Sequence, residues 1–438
     1  MSKIIIAGAG IGGLGVAAEL AKKGHDVTVY EKGTYSSLAY DWHDDMEEQV
    51  YDGGLLEKPD PSIYFKKRPW AFVSPFSVAT TLVRQPEPDL DLSTRRTEFS
   101  QFLADRAIKA GAKIVYGVAV QAPIIKDGKL VGIKTDKGDF TADLIIDCLG
   151  AYSAIRTQVP AAWGIQNAVN EDEMFYVWRG FFDRKEGVPG DADGLTNKVY
   201  LKHLGNVGIS WCIDDGHEVD ILAGLVGGNT QEHVDTVIAE LKKEHPFIGD
   251  KIVRAGGFYR IPVRRPLTLM VADNYAVIGD AAFMTIPLLG SGLASGIYAS
   301  RILADAIENA NGDYTAAKLY PYQVAVYKKF GAVHAGVDYI KNWLLNTECD
   351  RINKVMNSGL IAEKDLIKVS KGRMLFIPIG ELLGKAAKGI KMPGILLELN
   401  DMLMKHHKAY KLGLKVPETY DLAVNAKWAA KLNNVFKK

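Results

Sequence analysis

Cysteine is scarce in this sequence, which has three cysteines among 438 residues. Cys148, Cys212 and Cys349 are far apart along the chain, and no CxxC pair occurs. This spacing argues against a disulfide-stabilised secreted scaffold and against a cysteine zinc site. It favours reduced thiols in a cytoplasmic protein.

Long hydrophobic runs and an excess of one charge are also missing. No apolar run approaches the roughly 18 residues of a membrane-spanning helix. Glycines interrupt the apolar start MSKIIIAGAG at once, so it predicts a first strand rather than a signal peptide. The net charge of +1 argues against bulk attraction to nucleic acid. Apolar residues at 47% and charged residues at 24% are ordinary for a globular chain of two or three domains.

The charges that are present lie unevenly. From Lys364 to Lys438 there are 15 Lys and Arg against 6 Asp and Glu, an excess of nine positive charges, so the remainder carries −8 to reach the total of +1. In this basic part, Leu, Ile and Met alternate with Lys. Such a segment can contact an anionic membrane surface, or it can form a solvated helical cap.

The first residues after the start predict a nucleotide-binding turn. Residues 4–7 are apolar, as in a buried parallel strand, and Gly8, Gly10 and Gly13 follow in the G-x-G-x-x-G spacing. Gly8 allows a tight turn, Gly10 lets the backbone approach a pyrophosphate, and Gly13 lets the next helix pack closely on the strand.

A helix over 12–23 and a second strand over 26–30 complete the unit, and Glu31 ends that strand. Its carboxylate lies where it can accept hydrogen bonds from the ribose hydroxyls of an adenine nucleotide. Lys32 follows, but no arginine stands where a 2′-phosphate needs one. The helix N-terminus can bind a pyrophosphate without a basic residue. We therefore predict a bound dinucleotide, and the fingerprint alone does not separate NAD from FAD.

Further along, the alternating pattern of an NAD-binding domain is interrupted. A long stretch over 35–94 is predicted to be irregular, a helix begins near STRRTEF, and a buried strand leads through DCLGAYSAIR past Gly150. A second glycine-rich bend, GDAAFMTIPLLGSG, follows an apolar run that ends at Asp280.

In this order the motifs resemble FAD-dependent oxidoreductases of the p-hydroxybenzoate hydroxylase fold, over roughly residues 1–310. Within that fold, ADNYAVIGDAAFMTIPLLGSGLASGIYASRILADAI is most similar to the geranylgeranyl reductase family. The resemblance implies an α/β fold. A discontinuous FAD-binding domain is expected at 1–164 and 256–312, an antiparallel β-sheet substrate domain at 165–255, and a helical, basic C-terminal region at 313–438.

The resemblance also implies residue roles. Asp280 would accept hydrogen bonds from the ribityl hydroxyls of FAD, a neutral polyol that calls for an acceptor. The segment from Pro287 to Leu293 would wrap the flavin ring, with the new helix start facing the atoms that become anionic on reduction. Arg96, with Arg95 as its competitor, would meet the flavin or pyrophosphate. The expected cofactor-binding residues are Gly8, Gly10, Gly12, Gly13, Glu31, Lys32, Arg96, Val120, Gly150, Asp280, Pro287, Gly290, Ser291, Gly292 and Leu293.

DCLGAYSAIR departs from the family's more usual GADGxxSxVR, although Asp147, Gly150, Ser153 and Arg156 keep their spacing. In the monooxygenases of this fold the stretch serves both FAD and NAD(P)H, so the changed centre weakens the expectation of a nicotinamide contact. Cys148, at that centre, is interpreted as a small buried core residue.

On the substrate side, GISWCID stands at the place of the reductases' Y-x-W-x-F-P motif, and Trp211 matches its tryptophan. Ile209, Ile213 and Asp214 replace the tyrosine, phenylalanine and proline. The W-x-W-x-I-P of flavin-dependent halogenases matches only at Trp211 and Ile213. Trp211 is expected either to line the substrate cavity or to pack within the sheet.

An aromatic cluster crowds the 35–94 stretch and predicts either a satellite core, which is slightly favoured, or the lining of an apolar tunnel. Its members are Trp42, Tyr64, Trp70, Phe72 and Phe76. His43, in DWHDD, is interpreted as a solvated or capped histidine rather than a proton donor, and the segment lacks the ligand spacing of a metal site. Adjacent His406 and His407 cannot face one ligand.

We therefore expect a cytoplasmic FAD-dependent oxidoreductase that delivers hydride from flavin N5 to a C=C bond of an apolar, isoprenoid or lipid-like substrate. Its catalytic proton donor is not identified by the sequence. Peripheral membrane contact through the basic C-terminus is left open. A monooxygenase that uses NAD(P)H and O₂ is the alternative, and a flavin-binding protein without turnover is the non-enzyme alternative. Expected partners are transient NAD(P)H or a protein electron donor such as ferredoxin, with no metal and no nucleic acid.

Overall fold

The computed structural model describes residues 1–67, 69–83, 91–378, 380–381, 384–385, 389–390 and 392–437. The strands are β1 (Lys3–Ala7), β2 (Asp26–Glu31), β3 (His43–Met46), β4 (Tyr64–Lys66), β5 (Trp70–Val73), β6 (Thr80–Val83), β7 (Leu92–Arg95), β8 (Lys113–Tyr116), β9 (Val120–Lys126), β10 (Lys129–Thr135), β11 (Gly138–Thr141), β12 (Leu144–Asp147), β13 (Met174–Arg184), β14 (Asn197–Leu201), β15 (Gly208–Asp214), β16 (Glu218–Val226), β17 (Ile248–Pro262), β18 (Val271–Ala272) and β19 (Tyr275–Val277). The helices are α1 (Ile11–Lys22), α2 (Gln49–Asp52), α3 (Arg96–Lys109), α4 (Gln231–Glu244), α5 (Leu293–Asn309), α6 (Ala316–Leu319), α7 (Pro321–Val326), α8 (Ala332–Asn346), α9 (Cys349–Asn357), α10 (Glu363–Ser370), α11 (Pro393–Leu414) and α12 (Leu422–Asn433).

The first layer is a Rossmann-like sheet. Within the described residues its strand order is β18-β19-β12-β1-β2-β8. β1 pairs in parallel with both β2 and β12, and β12 pairs in parallel with β19. The strands are apolar because both faces are covered: Ile4, Ile5 and Ile6 are at most 1% exposed. α1 packs against both α3 and α5. The first and second glycine-rich bends follow β1 and β19, the two strands on either side of β12, so both open at the carboxyl edge of this sheet.

The second layer is a mostly antiparallel sheet of seven strands among the residues described, in the order β17-β13-β16-β15-β14-β5-β6. The pair β14–β5 is the parallel exception. A separate three-stranded sheet in the described chain has the order β3-β7-β4. The prediction that 35–94 is irregular is therefore wrong, because β3, β4, β5 and β6 all lie in that stretch.

The C-terminal part is helical, as predicted. Residues Pro321–Val326 of α7 continue through a π-helical turn, Tyr327–Gly331, into α8. α11 packs along α8, and their approach is close: a Cβ at Gly413 would lie 2.7 Å from the Cα of Ala332. No helix in the described ranges is both long enough and apolar enough to cross a membrane.

The fold is therefore the α/β class expected from the sequence, with a Rossmann-like sheet, a mostly antiparallel second sheet and a helical C-terminal part. The domain borders stay a prediction. Two strand arrangements bear on them, since β17 runs across the expected border at 255 and β5 and β6 join the second sheet from far upstream.

Candidate functional site

The glycines of the first bend lie in close contact with neighbouring backbone. Gly8 has φ +94°, and a Cβ there would lie 2.5 Å from the carbonyl oxygen of Cys148. A Cβ on Gly13 would lie 2.5 Å from the carbonyl oxygen of Gly8, so helix and turn are in contact. Gly10 caps the helix with extended backbone. Because the amides of a first helical turn lack intrahelical partners, this end of α1 can bind an anion.

Glu31 lies beside this bend. Its carboxylate accepts hydrogen bonds from the backbone amides of Ala9, at 2.9 Å, and Gly33, at 2.7 Å. The backbone amides of Gly117 and Val118 donate to the carbonyls of Gly33 and Glu31. Val120, at the start of β9, therefore lies near Glu31. Lys32 is exposed. The carboxylate retains lone pairs for further donors, as a ribose-binding acid requires.

The second bend begins with a short 3₁₀ turn, Gly279–Ala282. Oδ1 of Asp280 accepts a 2.8 Å hydrogen bond from Thr285 Oγ1 and lies 3.5 Å from the position that a Cβ on Gly292 would take. Gly292 is the N-cap of α5, so the carboxylate lies at a helix N-terminus. Burial raises the pKa of Asp280, while Thr285 and Arg96 oppose that rise. Part of the side chain nonetheless remains exposed.

The chain between Asp280 and α5 turns tightly. Gly290 has φ +74°, and its amide donates to the carbonyl of Ile286. Ser291 donates from its hydroxyl to the carbonyl of Asp45 at 2.8 Å, which fixes the bend on β3. Pro287 is buried and Leu293 is fully buried at the start of α5.

The two bends meet. A Cβ on Gly12, in the first turn of α1, would lie 2.9 Å from Cγ1 of Ile278, the residue before the second bend. Sγ of Cys148 lies 2.9 Å from the corresponding position on Gly10 and 3.6 Å from that on Gly279. Burial raises the pKa of this thiol to about 12. Cys148 is thus a buried contact shared by both bends, in agreement with its interpretation as a core residue.

Arg96 and Arg95 are distinguished by the structure. Arg95 is exposed and lies 3.7 Å from Glu98. Arg96 is half-buried, its Nη1 lies 3.4 Å from Asp44 Oδ2, and its charge acts on Asp280. Within the described residues, Nε of Arg96 is buried without a hydrogen-bond partner. An unsatisfied buried donor carries a free-energy cost, so a polar ligand is expected there.

The DCLGAYSAIR stretch forms a buried hydrogen-bond network. Asp147, fully buried, accepts hydrogen bonds from the hydroxyls of Ser153 and Tyr275 at 2.5 and 2.8 Å. Arg156 is also fully buried and donates to the carbonyl of Gln166 at 2.6 Å. These side chains stabilise the loop after β12 and are not exposed to a second nucleotide. Gly150 has φ +81°, and no atom lies within 4 Å of the position that its Cβ would take.

A large, mostly apolar cavity of about 520 Å³ lies between the second sheet and the C-terminal helices. Leu288 and Leu289, from the second bend, form part of its wall, as do Asp44 and Asp45 of β3. The wall also includes Trp70, Phe72, Trp211, Trp343, Leu399 and Leu403. The cavity therefore reaches the segment expected to wrap the flavin.

Trp211 lines this cavity. Along β15, Ile209, Trp211 and Ile213 are partly exposed to it, while Ser210 and Cys212 are buried on the opposite face. The indole Nε1 of Trp211 donates to Asp220 Oδ1 at 3.1 Å, so its ring orientation is fixed. Of the two interpretations of Trp211, the geometry favours the cavity-lining one.

Three of the five aromatic residues singled out in 35–94 have one of the two predicted roles. Trp70 and Phe72 line the cavity. Trp42 is buried at 5% exposure and contacts Tyr40 and Tyr259 as part of a small core. The two remaining aromatics have neither role: Tyr64 packs on the main core and Phe76 is exposed.

The charged groups of the cavity wall are mostly paired. Asp220 forms a bidentate pair with Arg179, at 2.9 and 2.6 Å, and Asp45 pairs with Lys67. His43 lies with its ring against Phe65 and Phe181.

The surroundings of His43 do not suit it to donate a proton. Burial and the nearby cations Arg254 and Arg179 lower its pKa to about 4. It is therefore neutral at neutral pH, and the prediction that it is not a proton donor fits this environment. Across the described chain, no group of three or more His, Cys, Asp or Glu side chains is arranged to hold a metal ion.

Sequence reasoning missed Asp44 and the helical wall of the cavity. Burial raises the pKa of Asp44, although Arg96 opposes the rise. Asp44 carries no periodic signal in the sequence, because its four-residue strand HDDM does not alternate between polar and apolar residues. Trp343 and Leu399 gave no local signal, because helical periodicity does not tell a core face from a cavity wall.

These features define an α/β protein with a dinucleotide-binding Rossmann-like unit, a second glycine-rich bend and an apolar cavity. In agreement, residues 6–59 match the family described as NAD(P)-binding Rossmann-like domain.

A more specific likeness comes from whole-chain comparisons. The chain is 23% identical over 348 residues to a digeranylgeranylglycerophospholipid reductase of Sulfolobus acidocaldarius, covering 77% of this chain and 76% of the relative. A geranylgeranyl bacteriochlorophyll reductase-like protein of Thermoplasma acidophilum has a solved structure that matches with a TM-score of 0.70 and 18% identity, over 92% of this chain and 99% of that one. A probable FAD-dependent monooxygenase of Pseudomonas aeruginosa matches with a TM-score of 0.58 and 16% identity, over 81% of this chain and 99% of that one.

The resemblance predicted from the motifs is therefore confirmed: the chain has the fold of the FAD-dependent oxidoreductases and is similar to geranylgeranyl reductases. The structural likenesses establish the fold. The monooxygenase likeness is the weaker of the two structural matches.

Proposed function

We propose that the protein binds FAD between its two glycine-rich bends. The residues present fit that cofactor. Gly10 and the first turn of α1 offer amides to a pyrophosphate, Glu31 offers a carboxylate to a ribose, and Asp280 offers an acceptor to a polyol. The unpartnered Nε of Arg96 supplies a buried donor. The family description names NAD(P), but the fingerprint is shared by both dinucleotides, and the second bend supports the flavin.

We further propose a flavin-dependent reductase that saturates C=C bonds in isoprenoid or lipid-like chains. One observation carries this proposal: Leu288 and Leu289, within the bend assigned to the flavin ring, are also a wall of the apolar cavity. An apolar chain in that cavity would therefore lie against the redox group. When bound and reduced, FAD supplies the hydride.

The protein must supply the accompanying proton, and Asp44 is the group best suited to do so. It lines the cavity, as do Asp45, Asp220, Asp365 and Glu218, which are each held by a cation at closer range. The contact of Asp44 with Arg96 is long, at 3.4 Å, and burial raises its pKa, which favours the protonated form. While the bound cofactor would supply hydride to one alkene carbon, Asp44 would give its proton to the other, and solvent would reprotonate the carboxylate.

The electron donor is proposed to bind transiently. Asp147 and Arg156, in the stretch that serves NAD(P)H in related monooxygenases, are fully buried in their own network. A resident nicotinamide site there is therefore not supported, and either transient NAD(P)H or a reduced protein such as a ferredoxin could supply electrons.

One anaerobic experiment tests the proposal. The purified protein is loaded with FAD, reduced with NAD(P)H or ferredoxin, and mixed with prenyl substrates. A product two mass units heavier per reduced bond is expected.

Three outcomes would contradict the proposal in different ways. A product sixteen units heavier, formed with O₂ consumption, would support the monooxygenase alternative. Bleaching without product from any prenyl or aromatic compound would overturn the substrate class. A bound flavin that no donor reduces would favour a binding protein without turnover. Asp44→Asn is the matched variant, because it should retain FAD and its reduction while losing turnover.

A further inference from the structure

α11 presents a second, unused face. Its buried residues Ile395, Met402, His406, Ala409 and Gly413 pack towards the body of the protein. On the opposite side, Leu397 is 71% exposed and Met404 is 63% exposed. Large apolar side chains at this exposure, seven residues apart on one helix, form a strip that none of the described residues covers.

Two further exposed apolar residues lie next to α11. Ile390 is 74% exposed just before α11, where the adjacent Gly389 contacts Leu396. Phe376 is 54% exposed and stacks on His407 with ring centroids 5.1 Å apart. We call Phe376, Ile390, Leu397 and Met404 the apolar strip.

Positive charge continues the same face towards the end of α11. Lys408 and Lys411 are exposed, and Lys415 follows directly after the helix. Within the described residues these three ammonium groups form no ion pair, whereas Lys405 is held by Asp401 at 3.0 Å. The unneutralised charge agrees with the excess of nine positive charges in the sequence after residue 363.

The same helix also forms part of the cavity wall. Leu396, Leu399 and Leu403 line the cavity, and they lie beside Leu397 and Met404 around the helix. A molecule held at the strip would therefore lie roughly a quarter turn around α11 from side chains that line the cavity.

We propose that the apolar strip and the lysines at the end of α11 dock on the surface of an anionic lipid bilayer. The apolar side chains would enter the interfacial layer, and the lysines would contact lipid phosphates. A second copy of the chain fits less well, because a symmetric contact would gather the unpaired lysines of both copies in one interface. Delivery of a lipid chain past Leu396 into the cavity rests on the proposed function, but the docking does not.

The test is vesicle co-sedimentation of the full-length, FAD-loaded protein. Vesicles of phosphatidylcholine alone are compared with vesicles of equal parts phosphatidylcholine and phosphatidylglycerol, at low and high salt. We expect binding to the anionic vesicles, weakened by salt. The variants Leu397→Ser/Met404→Ser and Lys408→Glu/Lys411→Glu should each bind at least tenfold more weakly.

Matched controls separate docking from general charge and hydrophobicity. Lys126 and Lys129, exposed in the β9–β10 hairpin, are changed to Glu, and Val207, 45% exposed, is changed to Ser. These variants should bind like the wild type, and circular dichroism should show that all variants are folded.

Two results would overturn the proposal: equal binding by the Lys408→Glu/Lys411→Glu variant, or a wild-type dimer in solution that Leu397→Ser/Met404→Ser dissociates. Turnover of a short, water-soluble prenyl alcohol is measured in parallel. Unchanged turnover with lost vesicle binding would support docking, whereas vesicle binding without any turnover would count against the proposed function alone.

Discussion

Gly12 and Gly13 offer a direct test of how closely the first bend is packed. They are neighbours in the first turn of α1, so replacing either by alanine gains the same helix propensity, at most about 1 kcal/mol. Their surroundings differ. A Cβ on Gly13 would lie 2.5 Å from the carbonyl oxygen of Gly8 and 3.1 Å from Cβ of Cys148. A Cβ on Gly12 would meet side-chain atoms of Ile278, at 2.9 and 3.1 Å.

The consequence is a difference between the two variants. The backbone oxygen of Gly8 cannot move without displacing the turn, and overpacking of this kind costs roughly 1–3 kcal/mol. We therefore expect Gly13→Ala to lower the free energy of unfolding by about 1 kcal/mol net and to weaken FAD binding at least tenfold, which is about 1.4 kcal/mol. Because a side chain yields more readily than a backbone oxygen, Gly12→Ala should stay within about 1 kcal/mol of the wild type and change FAD affinity by less than about threefold.

Two measurements are needed, urea unfolding of the FAD-free protein and titration of that protein with FAD followed by flavin fluorescence. The decisive comparison is between the variants. If Gly13→Ala binds FAD as tightly as the wild type, or if Gly12→Ala is the more damaging change, the proposed contact between backbone and pyrophosphate is wrong.

Three further changes test other parts of the site. Asp280→Ala should weaken FAD binding at least tenfold in the same titration, since it removes the acceptor proposed for the ribityl chain; equal affinity would remove Asp280 from the cofactor site. In stopped-flow measurements of prenyl reduction, the wild-type rate should fall as rising pH deprotonates Asp44, because only the protonated carboxyl can donate. Asp44→Asn should be slow, and its rate should not show this fall with rising pH. If the fall remains in Asp44→Asn, another acid is the proton donor. Burial lowers the pKa of His406 from 6.5 to about 4, so the unfolded chain binds a proton that the folded chain does not, and stability present above pH 6.5 is lost as pH falls towards 4. At pH 5 this loss of unfolding free energy amounts to about 2 kcal/mol. Urea unfolding of His406→Gln should therefore depend less on pH than that of the wild type, and an equal pH dependence would show that the His406 ring is accessible to protons in the folded protein.

The nucleotide-binding half of the fold could be predicted because its signals are local. The strand, three glycines, helix and acid lie within residues 3–31. Each of them follows from the conformation required of a few consecutive residues. The observed helix, Ile11–Lys22, differs from the predicted 12–23 by one residue at each end. The meeting of the two bends was also expected, but only from the family resemblance, since no local property of Gly12 indicates Ile278.

The 35–94 stretch could not be predicted because its strands are short and β5 takes a distant partner, although β3 and β4 pair with β7 and β6 pairs with β5. Lys198, Val199 and Tyr200 of β14 supply the partners of β5. The 35–94 stretch is rich in turns and short of alternation between polar and apolar residues. A strand of four residues gives little periodic signal. Asp44 was overlooked for the same reason: without β3, its direction towards the cavity was not visible.

The departures in GISWCID bear on the proton donor. Alternation along β15 turns Ile209, Trp211 and Ile213 towards the cavity. Asp214, which replaces the motif's proline, pairs with an arginine of β13 at 2.9 Å on the far face, so that change does not alter the lining. Ile209 does alter it, because an isoleucine has no hydroxyl where the reductase motif has a tyrosine. Nor is the indole N–H of Trp211 free to substitute for that hydroxyl, since it already donates to Asp220. A hydrogenation in this cavity must therefore take its proton from another wall, and Asp44 on β3 is the carboxyl whose surroundings favour holding one.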